Sequence, residues 1–314
     1  MNQQKAEKKM SNSSRFQRGI RSLWKQRELQ AMVWPGLIWM AVFSYVPLVF
    51  LYIAFTDYRI STPLFENNFV GLKHFAAFLS DDRFWRSVYN TLGMSALRIT
   101  LGFCIPIFFA LMLNEIKNAK FKRLVQTLSY MPHFISWAIF GGILLTWLSQ
   151  SGIINQLMMA LGLQDKPILY NGDPKKFWWI AFLSDTLKEM GWSAIIYLAA
   201  ISGIDPGLYE AAELDGAGRW SKMWNITIQC IRPTIALLFI LGCLTSNFDQ
   251  IFFLSNSANM ARSETIDLYI YNMGIVSGRF SFSTAVLFFR SIIAYGLLRL
   301  CNFTSVKLTG ESII

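Results

Sequence analysis

Asp205-Pro-Gly-Leu-Tyr-Glu-Ala-Ala-Glu-Leu-Asp-Gly-Ala217 is a charged, helix-capable stretch set between two long apolar segments. Asp205 suits a helix N-cap, and Pro206 suits a first turn, where a missing N–H costs nothing. Leu208 to Leu214 are mostly good helix formers. Gly216 then gives a bend, in a backbone conformation that a Cβ disfavours. Arg219 to Ile228 begins a second helix leading to Pro233. A charged helical loop in an otherwise apolar chain suggests a docking surface for a soluble partner. A capped surface helix with chance Ala and Gly is the plainer alternative.

The rest of the composition points to a membrane. Hydrophobic residues make up 54% of the 314 positions, charged residues only 15%, and mean hydropathy is +0.37. Soluble domains carry about a quarter charged residues. A span needs about 20 mainly apolar residues. Six stretches qualify: Met32–Phe55, Asn90–Leu113, Leu124–Leu148, Phe177–Ile201, Pro233–Phe253 and Ser283–Leu300. The second and third are joined by Asn114–Arg123 alone, so they form a tight hairpin.

Orientation follows from Lys and Arg in the loops. Lys5, Lys8, Lys9, Arg15, Arg18, Arg21, Lys25 and Arg27 precede the first span. Lys117, Lys120, Lys122, Arg123, Arg219, Lys222, Arg232, Arg299 and Lys307 fall on the same side, giving 17. Arg59, Lys73, Arg83, Arg86, Lys166, Lys175, Lys176, Arg262 and Arg279 give 9 on the other. Both termini and the 202–232 loop are therefore expected in the cytoplasm. The net charge of +10 is placed by this rule and calls for no nucleic acid. The first apolar run is too long for a cleaved leader, and no small-residue cleavage site follows it. Phe16, Ile20 and Trp24 recur every four residues among basic neighbours. They read as an interfacial helix on anionic lipid, or equally as a solvated basic tail.

Glu210, Ala211, Ala212, Asp215, Gly216, Ala217, Ile226 and Pro233 resemble the EAA loop of permease subunits in binding-protein-dependent ABC importers. Gln229 departs from it, standing where a proline is usual, which implies a softer kink before the fifth span. Tyr130-Met-Pro-His-Phe-Ile-Ser-Trp137, Ser246-Asn-Phe-Asp-Gln-Ile-Phe-Phe253, Phe282-Ser-Thr-Ala-Val286 and Gly310-Glu-Ser-Ile-Ile314 look like the branch that serves oligosaccharides and polysaccharide fragments. Leu287, where that branch often has glycine, is a second departure.

The resemblance covers essentially the whole chain. It implies an all-α integral membrane protein with six transmembrane helices and the type I ABC importer permease fold. Residues 1–31 form a basic N-terminal segment, 32–300 the permease domain and 301–314 a cytoplasmic tail. The chain sits in a bacterial cytoplasmic membrane, among its lipids. The implied partners are a second homologous permease subunit, two ATPase subunits that bind ATP and Mg, and an extracytoplasmic sugar-binding protein. Glu210, Ala211, Ala212, Asp215, Gly216 and Ala217 form the implied ATPase-coupling helix, and transport proceeds by alternating access.

Polar side chains inside spans usually face a cavity or a partner helix. Asp185, Lys188, Glu189 and Trp192 lie at i, i+3, i+4 and i+7, one face of the fourth span. They suit a lining that hydrogen-bonds sugar hydroxyls, with Trp192 offering a ring face. A purely structural Lys188–Asp185 or Lys188–Glu189 pair is the alternative. Asn247 and Gln250 share a face of the fifth span, and His133 follows Pro132 in the third, where it lines the path or packs. Asp249 is expected to pair with Arg290 or Arg98. Trp85, Phe65, Phe69 and Tyr170 in the 56–89 and 149–176 loops suit either a docking surface or a membrane belt. Ala258–Ile270, carrying Glu264 and Asp267, is a further docking candidate.

The sequence has no Gly-x-x-x-x-Gly-Lys-Ser/Thr and no Gly-x-Gly-x-x-Gly, so any energy for transport must come from elsewhere, which fits a permease that borrows its ATPase. Cys104, Cys230, Cys243 and Cys301 are scattered, and only His74 and His133 accompany them, so no metal site is expected. A membrane enzyme would need a convergent nucleophile or metal-ligand cluster, which is lacking. An ATP-independent carrier or channel would need interrupted or paired short spans, and no clear pair is visible. The topology is testable. Cysteines at Ser13 and Ser221 should resist an impermeant thiol reagent in intact cells, while one at Asn171 should react; outside labelling at Ser221 would reverse the orientation.

Overall fold

The computed structural model describes residues 26–244 and 247–309. The expected interfacial helix at Phe16, Ile20 and Trp24, Ser246, and the closing Gly310–Ile314 motif lie outside the described residues. The chain forms two compact units, Met1–Phe69 and Val70–Ile314.

In the first unit, α1 (Arg27–Met40) continues through a π-turn, Ala41–Tyr45, into a 3-10 segment, Val46–Phe55. Pro47 explains the change of winding, since it has no N–H and its ring crowds the preceding turn. Beyond it, Asn67 ties the loop: its Oδ1 accepts from Arg59 N at 2.9 Å and Thr62 Oγ1 at 2.6 Å.

The second unit opens with α2 (Lys73–Leu79) and α3 (Asp82–Leu97), which passes through a π-turn, Arg98–Gly102, into α4 (Phe103–Glu115). There follow α5 (Ala119–Tyr130) with a 3-10 turn, Met131–Phe134, then α6 (Trp137–Leu148), α7 (Ile153–Ala160) and the long α8 (Pro174–Ser202). Next come α9 (Pro206–Leu214) and α10 (Arg219–Lys222), the latter extended by helical turns to Cys230. The remainder is α11 (Arg232–Leu244), α12 (Phe248–Leu254), α13 (Met260–Ser263), α14 (Ile266–Tyr271) and α15 (Phe280–Thr309). Side-chain caps set several starts: Asp81, Asn118, Ser136, Asp173, Asp205 and Thr265 each accept from a backbone N–H of the helix that follows. Pro174 and Pro206 occupy first turns.

Among the described residues, four helical stretches are long and apolar enough to cross a membrane: Arg27–Phe55, Asp82–Glu115, Trp137–Ala160 and Phe280–Leu300. The expected fourth span lies inside the unbroken α8, whose charged groups lower its apolarity. The expected third and fifth spans are interrupted. Ile135 and Ser136 are extended, with ψ of 133° and 152°, and Ser136 caps the new helix that follows. In the fifth, α11 ends at Leu244, Asn247 is non-helical (φ −101°, ψ 51°), and α12 starts at Phe248. The sequence reading missed both breaks. The sixth span ends at Leu300 as expected, and its helix, α15, runs on to Thr309. The second-to-third hairpin is tighter than expected, with only residues 116–118 between α4 and α5.

The α8 helix organises this unit. Near its C-terminus Ala194, Tyr197 and Ile201 pack with Ala110 and Leu111 of α4, Met223 and Ile231. Near its N-terminus Phe177 and Ala181 pack with Phe140 and Leu144 of α6, Ile251 and Leu254 of α12, and Leu268 of α14. At this second end the 255–279 segment is tied down by polar groups. Arg83 grips Glu264 with two bonds, Nε to Oε2 at 2.7 Å and Nη2 to Oε1 at 2.5 Å. Asn90 donates to the Glu264 carbonyl at 3.0 Å, and Arg290 Nε meets Asp267 Oδ1 at 2.5 Å. Tyr269 donates to Asp81 at 2.5 Å; burial and then that carboxylate push its hydroxyl pKa up, so it stays a donor.

Three expectations change here. Glu264 is buried and Asp267 is paired, so neither is a free docking acid. Arg290 pairs with Asp267 rather than Asp249. Asn171 is buried and donates to Leu254 O, so the exposed Lys166 is the better cysteine site for testing topology. Glu264→Gln should lower thermal stability in detergent by about 2 kcal/mol, through loss of a charge-assisted fork. An unchanged melting temperature would show that the fork is not structural.

Candidate functional site

Two constructions stand out. The first is the turn between α9 and α10. Asp205 Oδ1 accepts from Gly207 N at 2.9 Å. At the far end Ala217 N bonds Ala212 O at 2.8 Å and Gly216 N bonds Glu213 O at 3.0 Å. These two bonds define a Schellman cap, with Gly216 left-handed at φ +75°. The spacing of Ala212, Gly216 and Ala217 is thus the spacing of that cap.

Two side-chain ties fix α9 to the next helix. Tyr209 Oη lies 2.9 Å from Thr227 Oγ1, and Lys222 Nζ lies 2.5 Å from Glu213 Oε1. The hydrogen bond and then the charge of Lys222 hold Glu213 below the usual carboxylate range. This tie is therefore present above that range and lost as pH falls through the lowered pKa. Around the cap, Leu208, Leu214, Trp220 and Trp224 are exposed, Leu214 at 90%. Glu210, Ala211 and Asp215 are exposed too, while Ala212 and Ala217 are half-buried. The outcome is a rigid knob with apolar and acidic groups at its surface.

The second construction surrounds the break in the third span. His133 Nδ1 donates to Glu189 Oε2 at 2.6 Å. Its ring stacks on Trp192, with centroids 4.3 Å apart and planes 2° apart. Lys188 is buried, and its Nζ donates to His133 O at 2.8 Å and to Glu189 Oε1 at 3.1 Å. Of the two pairings considered for Lys188, the contact is with Glu189 rather than Asp185. Trp192 gives one ring face to His133, also meets Phe134 in an edge-to-face contact, and remains partly exposed. Asn247 donates to Asp185 Oδ1 at 2.8 Å. Gln250 is buried and bonds Ala181 O at 2.5 Å and Ser184 Oγ at 2.8 Å.

A cavity of about 370 Å³ is lined by Arg98, Asp185, Glu189, Trp192 and Asn247, among others. Four of the seven expected path residues thus share its wall, and His133 stands directly behind Trp192. Lys188 and Gln250 do not line it; their polar groups hold helices together. Arg98 was considered only as a partner for Asp249. It instead faces the cavity with Asp185, and its Nη2 reaches Gly242 O at 3.4 Å. The signal that singles it out is a lone cation inside an apolar span.

Trp192→Ala should reduce transport while leaving the protein level and assembly unchanged. Gln250→Ala should do the reverse, lowering thermal stability by about 1–2 kcal/mol through loss of its buried bonds to Ala181 O and Ser184 Oγ. Uptake measured beside melting temperature separates the two.

Residues 102–303 match the family described as "Binding-protein-dependent transport system inner membrane component". The chain is 39% identical to the polygalacturonan/rhamnogalacturonan transport system permease protein YteP of Bacillus subtilis (strain 168), over 93% of this chain and 91% of that one. It is 26% identical to the trehalose/maltose transport system permease protein MalF of Thermococcus litoralis, over 77% of this chain and 81% of that one. A chain in a crystal structure of a bacterial alginate ABC transporter, in complex with an alginate pentasaccharide-bound periplasmic protein, superposes with a TM-score of 0.85. That chain is 34% identical, and the match covers 93% of this chain and 99% of that one.

Proposed function

Because this chain belongs to the inner membrane components of binding-protein-dependent transport systems, we propose that it is the permease subunit of an ATP-driven oligosaccharide importer. The named relatives handle glycans from disaccharides to polysaccharide fragments, which supports a glycan cargo. The cavity wall agrees with that class. Two carboxylates and a carboxamide, Asp185, Glu189 and Asn247, accept from or donate to hydroxyls, and the exposed part of the Trp192 indole suits the apolar face of a pyranose ring.

The observation that carries the coupling assignment is the knob at 205–230. Its cap and two ties leave it little freedom, and Leu208, Leu214, Trp220 and Trp224 expose apolar area that a soluble partner would cover. A separate ATPase docks there, binds ATP and Mg, and on closing pulls the knob. A rigid lever transmits that displacement to α8 through the Ala194–Tyr197–Ile201–Met223 contacts. A second homologous permease completes the pore, and an extracytoplasmic sugar-binding protein delivers cargo to the side opposite the knob. Both termini are then cytoplasmic. The chain itself performs no bond chemistry.

Two variants test the coupling. Gly216 has open space around its α-carbon, so Gly216→Val suffers only the left-handed backbone penalty, about 1–2 kcal/mol, and misdirects the knob. Glu210→Lys reverses an exposed charge. Both should leave insertion and permease pairing intact. Both should weaken ATPase retention in a pull-down, or lose the hydrolysis stimulated by a binding protein loaded with neutral or uronic-acid trisaccharides. Full retention together with full stimulation in both variants would remove the knob from the coupling.

A further inference from the structure

Lys188 is a buried cation that the transport reading leaves without a task. Its ammonium nevertheless reaches both sides of the break in the third span. On the near side it donates to His133 O at 2.8 Å. On the far side it lies 5.5 Å from the ring centre of Trp137, the first residue of α6. The His133 carbonyl needs such a donor. In an unbroken helix it would accept from the N–H of residue 137, but Ile135 and Ser136 are extended and carry that N–H away.

We propose that Lys188 is a positioning residue that closes a latch between the broken third span and α8, and that the break changes shape during transport. The latch has three further parts. Glu189 bridges the Lys188 ammonium and the His133 ring. The His133 ring backs Trp192. Glu189 and Trp192 form part of the cavity wall, so the state of the latch sets the shape of that wall. Sliding of α5 along α8 is disfavoured by their close approach. A Cβ at Gly191 would run into the Ser129 carbonyl, so the extended residues 135–136 are the place where the third span can bend. A cation is suited to this role because its hydrogen bonds are strong in a dry site yet exchangeable.

The inference rests on the transport reading, and its test uses the whole complex with both permeases, the ATPase and the binding protein, in proteoliposomes. Lys188→Met keeps the length and apolar stem but cannot donate. It should assemble, and its ratio of stimulated to basal ATP hydrolysis should fall about tenfold, the shift that one charge-assisted hydrogen bond supplies. Lys188→Arg, which still donates, should recover most of that ratio. Hydrolysis is stimulated with binding protein loaded with the trisaccharide panel. As a second readout, a cysteine at Ile135 in a cysteine-free background should alkylate at different rates in the nucleotide-free and the ATP–vanadate-trapped complex. In the Lys188→Met protein the nucleotide-free rate should already match the trapped one.

An assembled Lys188→Met complex with an unchanged ratio overturns the latch. Equal Ile135 alkylation in the two states overturns it as well, and this arm decides if Lys188→Met fails to assemble. A complex with Lys188 intact that shows no sugar-stimulated hydrolysis overturns the transport reading itself, and the latch with it.

Discussion

A polar group inside hydrocarbon must find its partner within the protein, because no water is there to supply one. Three cations fall well inside the spans read from the sequence, Arg98, Lys188 and Arg290, while Arg299 stands at the very end of the sixth. Each of the three meets an acceptor on another element. Arg98 reaches Gly242 O beside Asp185, Lys188 takes His133 O and Glu189, and Arg290 takes Asp267. These contacts join the π-turn after α3 to α11, α8 to the third span, and α15 to α14. The helix arrangement of the second unit follows from them as much as from apolar packing, since leaving any of the three unpaired would cost several kcal/mol.

The α8 helix gathers most of these consequences. One stretch packs at each end into an apolar cluster, and the middle carries Asp185, Lys188, Glu189 and Trp192. Buried and wet roles alternate along a single helix because i, i+3 and i+4 neighbours share a face. Lys188 turns inward to the break, while Asp185 and Glu189 turn to the cavity. The same helix thus supports the wall, closes the interruption beside it and touches the segment leading from the 205–230 knob.

That knob is rigid for local reasons. Asp205 and Pro206 start α9, Gly216 ends it, and the ties Tyr209–Thr227 and Glu213–Lys222 hold it to α10. A lever must resist bending, and here each end of a nine-residue helix is capped and its flank is pinned. At the opposite end of the unit the logic is similar but the means differ. Glu264, Asn90, Arg83 and Tyr269 use buried polar bonds to hold the 255–279 segment in place.

The sequence by itself determined what depends on neighbours along the chain. Composition and apolar runs gave a helical membrane protein. Asp205, Pro206 and Gly216 gave the knob, because caps and left-handed turns are set within a few residues. The common face of Asp185, Glu189 and Trp192 was legible from helical period alone. What only the tertiary structure decided concerns groups brought together from distant segments. Periodicity could not show that Lys188 is consumed internally while Asp185 and Glu189 face a cavity, for all three satisfy the same one-dimensional pattern. Nor could it show that Glu264 is spent on Arg83, or that Arg290 prefers Asp267 to Asp249. The break at 135–136 had a local cue in Pro132 and Ser136, but an isolated proline is compatible with a kinked span as well as an interrupted one. The orphaned His133 carbonyl finds its donor 55 residues away, and only the folded chain places Lys188 there to accept that role.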